Sequence, residues 1–346
     1  MSSELAKNGA HLAPPLLPDG TGPSRFASLA TVQRRYPLMQ AAALVVLFIL
    51  GAATLPGFAT YSSVKAVLII TSFLGISAVG QQVVILLGGI DLGVPAYIAL
   101  GNFMIPELAG LDHWPFWTAA LLNLVVAAVI GGATGYICSH FKAESLVVTL
   151  GVQTMILGGL AIWTNGLVDA GTPTWLSDIA SPATSTFGLD VPPVVVIWAL
   201  IAVAMAVLLH MTVLGRRIYA SGSNPTAASV ALIPIDRVWA FAFALSAVAS
   251  SFAGLLLAGY SGTGSLSIGS PYLFSSLAAV IVGGTALVGA RGDYWRTVLG
   301  ALLLTVLTTV LIGHGLGDAG QQIIYGLVIL LVVPAYGRDR RTADRV

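Results

Sequence analysis

The chain contains ten runs of apolar residues, each close to the length that crosses a lipid bilayer. A helix needs about 20 residues to span the hydrocarbon core. Hydrophobic residues make up 57% of the chain and charged residues only 8%, whereas soluble domains carry about 25% charged residues. The sequence therefore predicts an all-α, polytopic integral membrane protein with about ten transmembrane helices. The runs cover residues 38–55, 64–83, 93–109, 117–139, 145–163, 192–213, 237–259, 272–289, 296–313 and 320–336.

The basic residues predict how these helices are oriented. If the N-terminus is cytoplasmic, ten spans leave Lys65 as the single basic residue outside, and the other 14 of 15 lie inside. This distribution is the one that the positive-inside rule describes, so we predict that both termini are cytoplasmic. The inner residues are Lys7, Arg25, Arg34, Arg35, Lys142, Arg216, Arg217, Arg237, Arg291, Arg296, Arg338, Arg340, Arg341 and Arg345.

The two ends of the chain differ from its apolar body. Residues 1–35 are rich in Pro, Gly and small polar residues, which predicts a disordered cytoplasmic tail. Residues 338–346 form a basic cytoplasmic tail, and the transmembrane domain lies between, at 36–337. The first apolar run resembles a signal peptide, but the long tail before it favours an uncleaved helix.

Several function classes lack their sequence signals. None of the three lysines follows a glycine, so the chain has no GxxxxGK[ST] loop for ATP, and no cofactor of its own is expected. The five histidines show no paired metal-ligand spacing, and a lone cysteine, Cys138, excludes an intramolecular disulfide framework. A net charge of +1 gives no reason to expect nucleic-acid binding. We predict a protein that is not an enzyme.

The stretch LLGGIDLGVP, Leu86 to Pro95, interrupts the apolar pattern with two glycines, a carboxylate and a proline. An apolar run from residue 64 to 90 would form a helix of about 40 Å, which is too long for a straight span. We therefore expect tilt or a break near Gly80, Gln81 and Gln82. Gly88 and Gly89 allow close helix approach and weaken the helix.

Asp91 in this stretch has two possible roles. It can cap the start of the third helix, near the inner membrane face, or it can be a polar contact in a transport pathway or gate. The cap is the preferred interpretation, because a carboxylate at the membrane midplane is far less favourable than one near the interface.

Other polar and glycine positions within the apolar runs raise similar alternatives. Gly283 and Gly284 indicate close helix packing or a bend lining a pathway, to which Thr285 would offer a hydroxyl. Uncharged polar side chains serve either a polar solute or hydrogen bonds between helices. These side chains are Gln81, Gln82, Asn102 and Asn123.

The inner segment 214–236 predicts a short helix outside the membrane. Asn224 can cap it and Pro225 suits its first position, whereas Pro234 disfavours its continuation. A short helix with small and aliphatic faces around 225–233 is suited to docking into another protein, and the alternative is a helical linker. The candidate docking residues are Asn224, Pro225, Thr226, Ala227, Ala228, Ser229, Val230, Ala231 and Leu232.

Three stretches, in order, resemble the permease subunits of ATP-binding-cassette importers of the ribose/xylose/galactose group. They are GGIDL at Gly88–Leu92, LGRRIYASGSNPTAA from Leu214, and AAVIVGGTALVGARG at Ala278–Gly292; the ending GQQIIYGLVILL from Gly320 also fits. The resemblance runs from about residue 38 to 338.

The resemblance implies a bacterial inner-membrane importer. Two permease subunits, identical or different, would form the pathway, two cytoplasmic ATPase subunits would use ATP, and an external solute-binding protein would deliver a monosaccharide such as a pentose, or a polyol. The helix around 225–233 would then be the coupling helix that docks into the ATPase. Membrane lipid would surround the subunit.

The sequence departs from the family's pattern at several positions, which puts the commonest pentose substrate in doubt. Gly93 stands where Ser is usual, Pro95 and Ala290 where Gly is usual, Ala286 where Ser is usual, and Leu232 where Gly is usual in the inner loop. Gln81 and Gln82 replace a common Met-Thr pair.

Rival functions remain open. The same machinery could import a branched-chain amino acid, a nucleoside or a signalling molecule. An ion-coupled secondary transporter would need a midplane ion site, for which Asp91 is the single candidate. A membrane-embedded enzyme would need clustered His, Asp or Glu at one face, which the sequence does not show.

Overall fold

The computed structural model describes residues 37–164 and 171–343, so the predicted N-terminal tail at 1–35 lies outside the described residues. The chain divides into two units, Met1–Leu38 and Met39–Val346, and the described packing lies within the second. The helices are α1 Leu38–Thr54, α2 Tyr61–Leu86, α3 Val94–Ile105 with a π-helical turn at Pro106–Leu111, α4 Phe116–His140, α5 Ser145–Thr164, α6 Thr174–Ile179, α7 Pro193–Met211, α8 Val213–Ser223, α9 Pro225–Val230, α10 Ile235–Ser261, α11 Tyr272–Gly283, α12 Tyr294–Gly313 and α13 Asp318–Ala343.

All regular structure in the described ranges is helical, apart from one isolated β-bridge between Thr186 and Leu189. Within those ranges, seven helical segments are long and apolar enough to cross a membrane: α2, α3 with its π-helical turn, α4, α5, α7, α10 and α12. Three further apolar helices, α1, α11 and the Asp318–Leu331 part of α13, are shorter. The all-α, multi-pass prediction is confirmed, whereas the count of ten spans stays a prediction.

Helices α2 and α10 form the centre of the second unit and pack against each other. They cross closely, because a Cβ atom added to Gly80 would lie 2.0 Å from Ser246 Cα. Helix α10 also packs on α3, where a Cβ on Gly254 would lie 2.0 Å from the Ile98 carbonyl oxygen. Small residues at such crossings let backbones meet, which is how membrane helices gain packing energy.

The structure corrects three boundaries. Helix α2 continues without interruption through Gly80, Gln81 and Gln82 to Leu86, and the chain leaves helical structure only at 87–93. The predicted run 272–289 ends as a helix at Gly283, because Gly284 adopts a left-handed conformation with φ +102°. The inner segment 214–236, predicted to hold one short helix, contains most of α8 before α9.

Candidate functional site

Three separate parts of the chain meet at the C-terminal end of α2. The carbonyl oxygen of Leu86 accepts a hydrogen bond from the amide of Ala290, at 2.8 Å. From the other side, Gly222 near the end of α8 approaches so closely that an added Cβ would lie 1.9 Å from the same oxygen. We call this meeting point the α2 junction, formed by Leu86, Gly88, Gly222, Gly289 and Ala290.

Two glycines at the α2 junction adopt backbone conformations that other residues rarely take. Gly88 has φ +84° and ends the helical turn after Leu87, whose own amide bonds back to α2. Gly289 has φ +89°, and a Cβ there would lie about 3 Å from Leu86, Gly88 and Gly222 backbone atoms (3.0 to 3.2 Å). A Cβ added to Gly88 would have its nearest neighbour 3.7 Å away, so a side chain would find room there. Glycine is therefore required at this position by the positive φ and not by lack of space.

Asp91 lies in the segment between α2 and α3, with 2% of its surface exposed. Its Oδ1 atom accepts a hydrogen bond from the Gly93 amide at 2.8 Å. Gly93 itself is the N-cap residue of α3, so Asp91 does not cap the helix in the predicted way but fixes the turn before it. The carboxyl group is thus a structural acceptor at the break, and its role in a pathway stays a prediction.

Hydroxyl groups of α5 hold the rest of this segment. The amide of Ile90 donates to Ser145 Oγ at 3.1 Å, and the amide of Leu92 donates to Thr149 Oγ1 at 3.0 Å. Gly89 packs beside the same helix, since a Cβ on it would lie 3.4 Å from Ser145 Oγ. The break between α2 and α3 is therefore a defined structure with bonded amides.

Gln82 is held by two threonine hydroxyls from distant parts of the chain. Its Oε1 atom accepts hydrogen bonds from Thr285 Oγ1 at 2.8 Å and from Thr297 Oγ1 at 2.5 Å. Its Nε2 atom has no hydrogen-bond partner in the described residues, and neither has Oε1 of the neighbouring Gln81. Both side chains are buried, so each offers an unused polar atom inside the bundle.

The glycine pair after α11 serves both packing and termination. A Cβ on Gly283 would lie 2.6 Å from the Arg296 carbonyl oxygen, so this glycine permits the contact between α11 and α12. Gly284 ends α11 in a left-handed conformation, which places Thr285 next to Gln82. Close packing therefore describes Gly283, whereas Gly284 ends the helix in a turn; a bend that lines a pathway stays a prediction.

Asn102 and Asn123 are fully buried and join α10 and its following loop to other helices. Asn102 Oδ1 accepts from the Ser265 amide at 2.7 Å, and Asn123 Oδ1 accepts from Ser251 Oγ at 2.9 Å. The structure does not bring Asn102 to the α2 junction, because it lies more than two turns into α3. Both amide groups therefore act as interhelical links in this structure.

The predicted coupling helix is α9, and it ends three residues earlier than predicted, at Val230. Asn224 Oδ1 accepts a hydrogen bond from the Ala227 amide at 2.9 Å, and Pro225 is the first helical residue. Ala228 is 5% exposed and faces the rest of the chain, whereas Val230 and Leu232 are 80% and 90% exposed. The other members are exposed as well: Asn224, Pro225, Thr226, Ala227, Ser229 and Ala231.

Sequence reasoning missed the contacts that connect α9 to α2. Helix α8 precedes α9 directly, and its Tyr219 hydroxyl donates to the Gly292 carbonyl oxygen at 2.8 Å. One signal in the sequence could have indicated these turns, because the family's pattern has glycine at both positions. The residues that stand there, Leu232 (φ +59°) and Ala290 (φ +60°), adopt the left-handed conformation. Both positions require a turn that glycine forms without strain.

Polar contacts join the N-terminal end of α2 to the segment that precedes α7. Lys65 donates to the Asp190 carboxylate and to the Pro182 carbonyl oxygen, the latter at 3.2 Å, while Tyr61 donates to the Asp190 carbonyl oxygen at 2.6 Å. The hydrogen bond from Lys65 lowers the pKa of Asp190. Because α2 has 26 residues, about 39 Å separate this end from the α2 junction.

Comparison with known proteins points to solute transport. The family model described as "Branched-chain amino acid transport system / permease component" matches residues 63–333. The ribose import permease protein RbsC of Escherichia coli (strain K12) is 32% identical over 292 residues, which cover 84% of this chain and 90% of the relative. RbsC of Bacillus subtilis (strain 168) is 31% identical and covers 75% and 80%.

A more distant relative is named for the import of a different solute. The autoinducer 2 import system permease protein LsrC of Enterobacter sp. (strain 638) is 26% identical over 317 residues, which cover 92% of this chain and 91% of the relative. No solved structure matches the chain.

Proposed function

The chain belongs to the family of transport-system permease components, and we propose that it is the transmembrane subunit of an ATP-binding-cassette importer for a monosaccharide such as a pentose, or for a polyol. The observation that carries the proposal is the 32% identity to a ribose import permease over 84% of the chain. The family description and the LsrC relative support a second candidate, the same machinery importing an amino acid or a signalling molecule.

We further propose that the chain crosses the bacterial inner membrane ten times with both termini in the cytoplasm. The distribution of basic residues supports this topology. The structure is compatible with it, because Lys65 and the α2 junction lie at opposite ends of one membrane-length helix. In this topology α8, α9 and the α2 junction face the cytoplasm, and Asp190 faces outward.

The proposed partners follow from this arrangement. ATPase subunits would dock on the exposed surface of α9 and of the turn after it, where Val230 and Leu232 present apolar side chains to solvent. A solute-binding protein would approach the opposite face, and a second permease subunit would complete the pathway. The subunit itself would use no cofactor, because the resemblance assigns ATP to the partner.

The contacts around the α2 junction suggest how movement of α9 reaches the interior. Helix α9 follows α8 after a single residue, and α8 contacts Leu86 through Gly222 and Gly292 through Tyr219. The loop that ends at Gly292 begins beside Thr285, which bonds Gln82 within α2. Rigid-body movement of α8 and α9 would therefore displace both the end of α2 and the polar contact inside it, which is a route to alternating access.

The best candidates for solute contacts near the α2 junction are Gln81, Gln82 and Thr285. They are uncharged, and two of the amide atoms have no partner in the described residues. Sugar and polyol hydroxyls both donate and accept hydrogen bonds, so neutral amide and hydroxyl groups suit them. Asp91, Asn102, Gly88, Gly89, Gly283 and Gly284 would shape the surrounding helices.

Uptake by whole cells tests the proposal, because intact cells supply whatever partner proteins the chain requires. A deletion strain of the source organism and the same strain carrying the gene are compared for uptake of labelled ribose, xylose, a polyol and leucine. We expect the deletion strain to lose uptake of one sugar or polyol and the strain that carries the gene to regain it. Loss of leucine uptake alone would instead favour the second candidate, and unchanged uptake of all four would contradict the proposal.

A further inference from the structure

Two histidine–aspartate contacts join the ends of neighbouring membrane helices. His140 Nδ1 lies 3.2 Å from Asp236 Oδ2, and His210 Nε2 lies 3.2 Å from Asp293 Oδ1. The four side chains are 30% to 51% exposed, so protons can reach them from the surrounding water. We call these two contacts the His–Asp pairs.

The His–Asp pairs lie at the two ends of the segment that contains α8 and α9. His210 is near the end of α7, directly before α8, and its partner Asp293 directly precedes α12. Asp236 is in the first turn of α10, which follows α9, and its partner His140 is the last residue of α4. One pair therefore fixes the start of the α8–α9 segment to α12, and the other fixes its end to α4.

Both pairs have the same polarity relative to their helices. Each histidine lies in the last turn of a helix, α4 or α7. Asp236 lies in the first turn of α10, and Asp293 is the N-cap residue of α12. The C-terminal end of a helix carries partial negative charge and the N-terminal end partial positive charge. A protonated imidazole would therefore be attracted by its aspartate and also by the end of its own helix.

The charge balance of each pair depends on its histidine. Within the part of the chain that the structure describes, the ion pair of each aspartate is formed with a histidine and with no lysine or arginine. Ser139 donates a hydrogen bond to Asp236, and the ring of Tyr136 stacks on His140. Tyr219 faces Asp293 from α8. Further charged residues nearby in sequence are Lys142, Glu144, Arg216, Arg217, Arg237, Arg291 and Arg296.

We propose that the His–Asp pairs are proton-dependent anchors, which hold the α8–α9 segment against α4 and α12 when the cytoplasm becomes acidic. A histidine gains its positive charge as the pH falls through the range of about 8 to 5. A neutral imidazole offers its aspartate a hydrogen bond, whereas a protonated imidazole adds an ion pair. The anchors are thus strongest at acidic pH and weaken as the pH rises. The inference rests on the proposed function, in which movement of α8 and α9 drives transport.

Hydrogen exchange of the purified full-length chain in detergent tests the anchors. Exchange of the backbone amides at 213–230 is compared at about pH 5.5 and pH 8, the range in which histidine titrates, after correction for the intrinsic effect of pH on exchange. We expect protection of this segment to rise roughly twofold to fivefold at acidic pH, because exposed ion pairs contribute little each. Protection of α6 should not change.

Three variants connect the response to the His–Asp pairs. His140→Gln and His210→Gln each remove a titrating charge but keep a side-chain amide that can donate a hydrogen bond. Each should reduce the pH response, and the double variant should show equal protection of 213–230 at both pH values. His113→Gln is the matched control, because His113 is exposed and forms no ion pair with another described residue. It should respond like the wild type.

Two results of the exchange experiment would overturn the proposal: equal protection of the wild type at both pH values, or a pH response that persists in the double variant. Uptake is then measured in cells whose internal pH is lowered with a weak acid. Acidification should reduce uptake by the wild type several-fold more than uptake by the double variant, and equal sensitivity would also overturn the proposal. Absence of uptake at every pH, with the exchange response intact, would instead contradict the proposed function.

Discussion

The backbone of Gly222 lies directly against the carbonyl oxygen of Leu86, with no room for a Cβ atom between α8 and the end of α2. The same carbonyl oxygen accepts a hydrogen bond from Ala290. One atom at the end of a central membrane helix therefore contacts both the helix that leads into α9 and the loop that carries Thr285. This arrangement predicts that the α2 junction transmits movement between α9 and the interior.

Gly222→Ala is expected to separate α8 from α2. The added Cβ would lie 1.9 Å from Leu86 O, so the backbone must shift, which destabilises by about 1–3 kcal/mol. We expect uptake to fall at least several-fold while the protein still inserts into the membrane. Gly158→Ala is the matched control, because Gly158 is also helical but has nothing within 4 Å of its added Cβ. Wild-type uptake and stability in Gly222→Ala would exclude the close contact.

Ala290→Gly is expected to stabilise the protein slightly. Ala290 has φ +60°, a conformation that disfavours a residue with a Cβ by roughly 1–2 kcal/mol. Glycine removes this strain but gains about 0.4–1 kcal/mol of entropy in the unfolded chain. The thermal midpoint should therefore stay level or rise, whereas Ala286→Gly, whose φ is not positive, should lower it. A clear loss of stability in Ala290→Gly would argue against the left-handed turn.

Val230→Asp is expected to uncouple transport without unfolding the chain. Val230 is 80% exposed on α9, so a charge there should disturb a docked partner and leave the fold intact. Uptake should fall by tenfold or more at an unchanged thermal midpoint, and the conservative Val230→Ala should retain most uptake. Normal uptake by Val230→Asp would remove α9 from the docking surface.

Ala228→Arg is expected to fail for a different reason. Ala228 is 5% exposed, and a buried, unpaired guanidinium disrupts the packing of α9 on its own chain. We expect a lower thermal midpoint together with lost uptake. A variant that keeps the wild-type midpoint would show instead that Ala228 faces solvent.

The Lys65–Asp190 contact predicts a stability change at acidic pH. The hydrogen bond from Lys65 lowers the pKa of Asp190 in the folded state, so its contribution is present above the unfolded pKa of about 3.9. That contribution is lost as the pH falls through the lower folded value. The thermal midpoint of the wild type should therefore decline more steeply below about pH 4 than that of Asp190→Asn. Parallel pH profiles would show that the contact contributes nothing.

The positions of the membrane helices were predictable, because the length of an apolar run limits where a span begins and ends. The length of the second apolar run led to the expectation of tilt or a break near Gly80, Gln81 and Gln82, and the structure has no break there, whereas the break that Gly88 and Gly89 were expected to allow is present. Gln82 is in fact held by Thr285 and Thr297, more than 200 residues away, and no local pattern reports such partners.

The α2 junction could not be predicted for the same reason. It joins Leu86, Gly222 and Ala290, which have no relationship in sequence, and each glycine at the junction looks like an ordinary loop or helix residue. Helix α8 was missed because Gly215 and Gly222 within it weaken a helical pattern. The cap at Asn224 and the start at Pro225 were found because both depend on neighbouring residues alone.

Gentle-detergent purification of the chain from its native membranes tests the central claim most directly. All co-purifying proteins are identified by mass, and the purification is repeated with Val230→Asp. The account predicts that an ATPase subunit co-purifies with the wild type and is lost from the variant. Recovery of the chain alone, together with solute transport in liposomes without ATP, would contradict the account and indicate a secondary transporter.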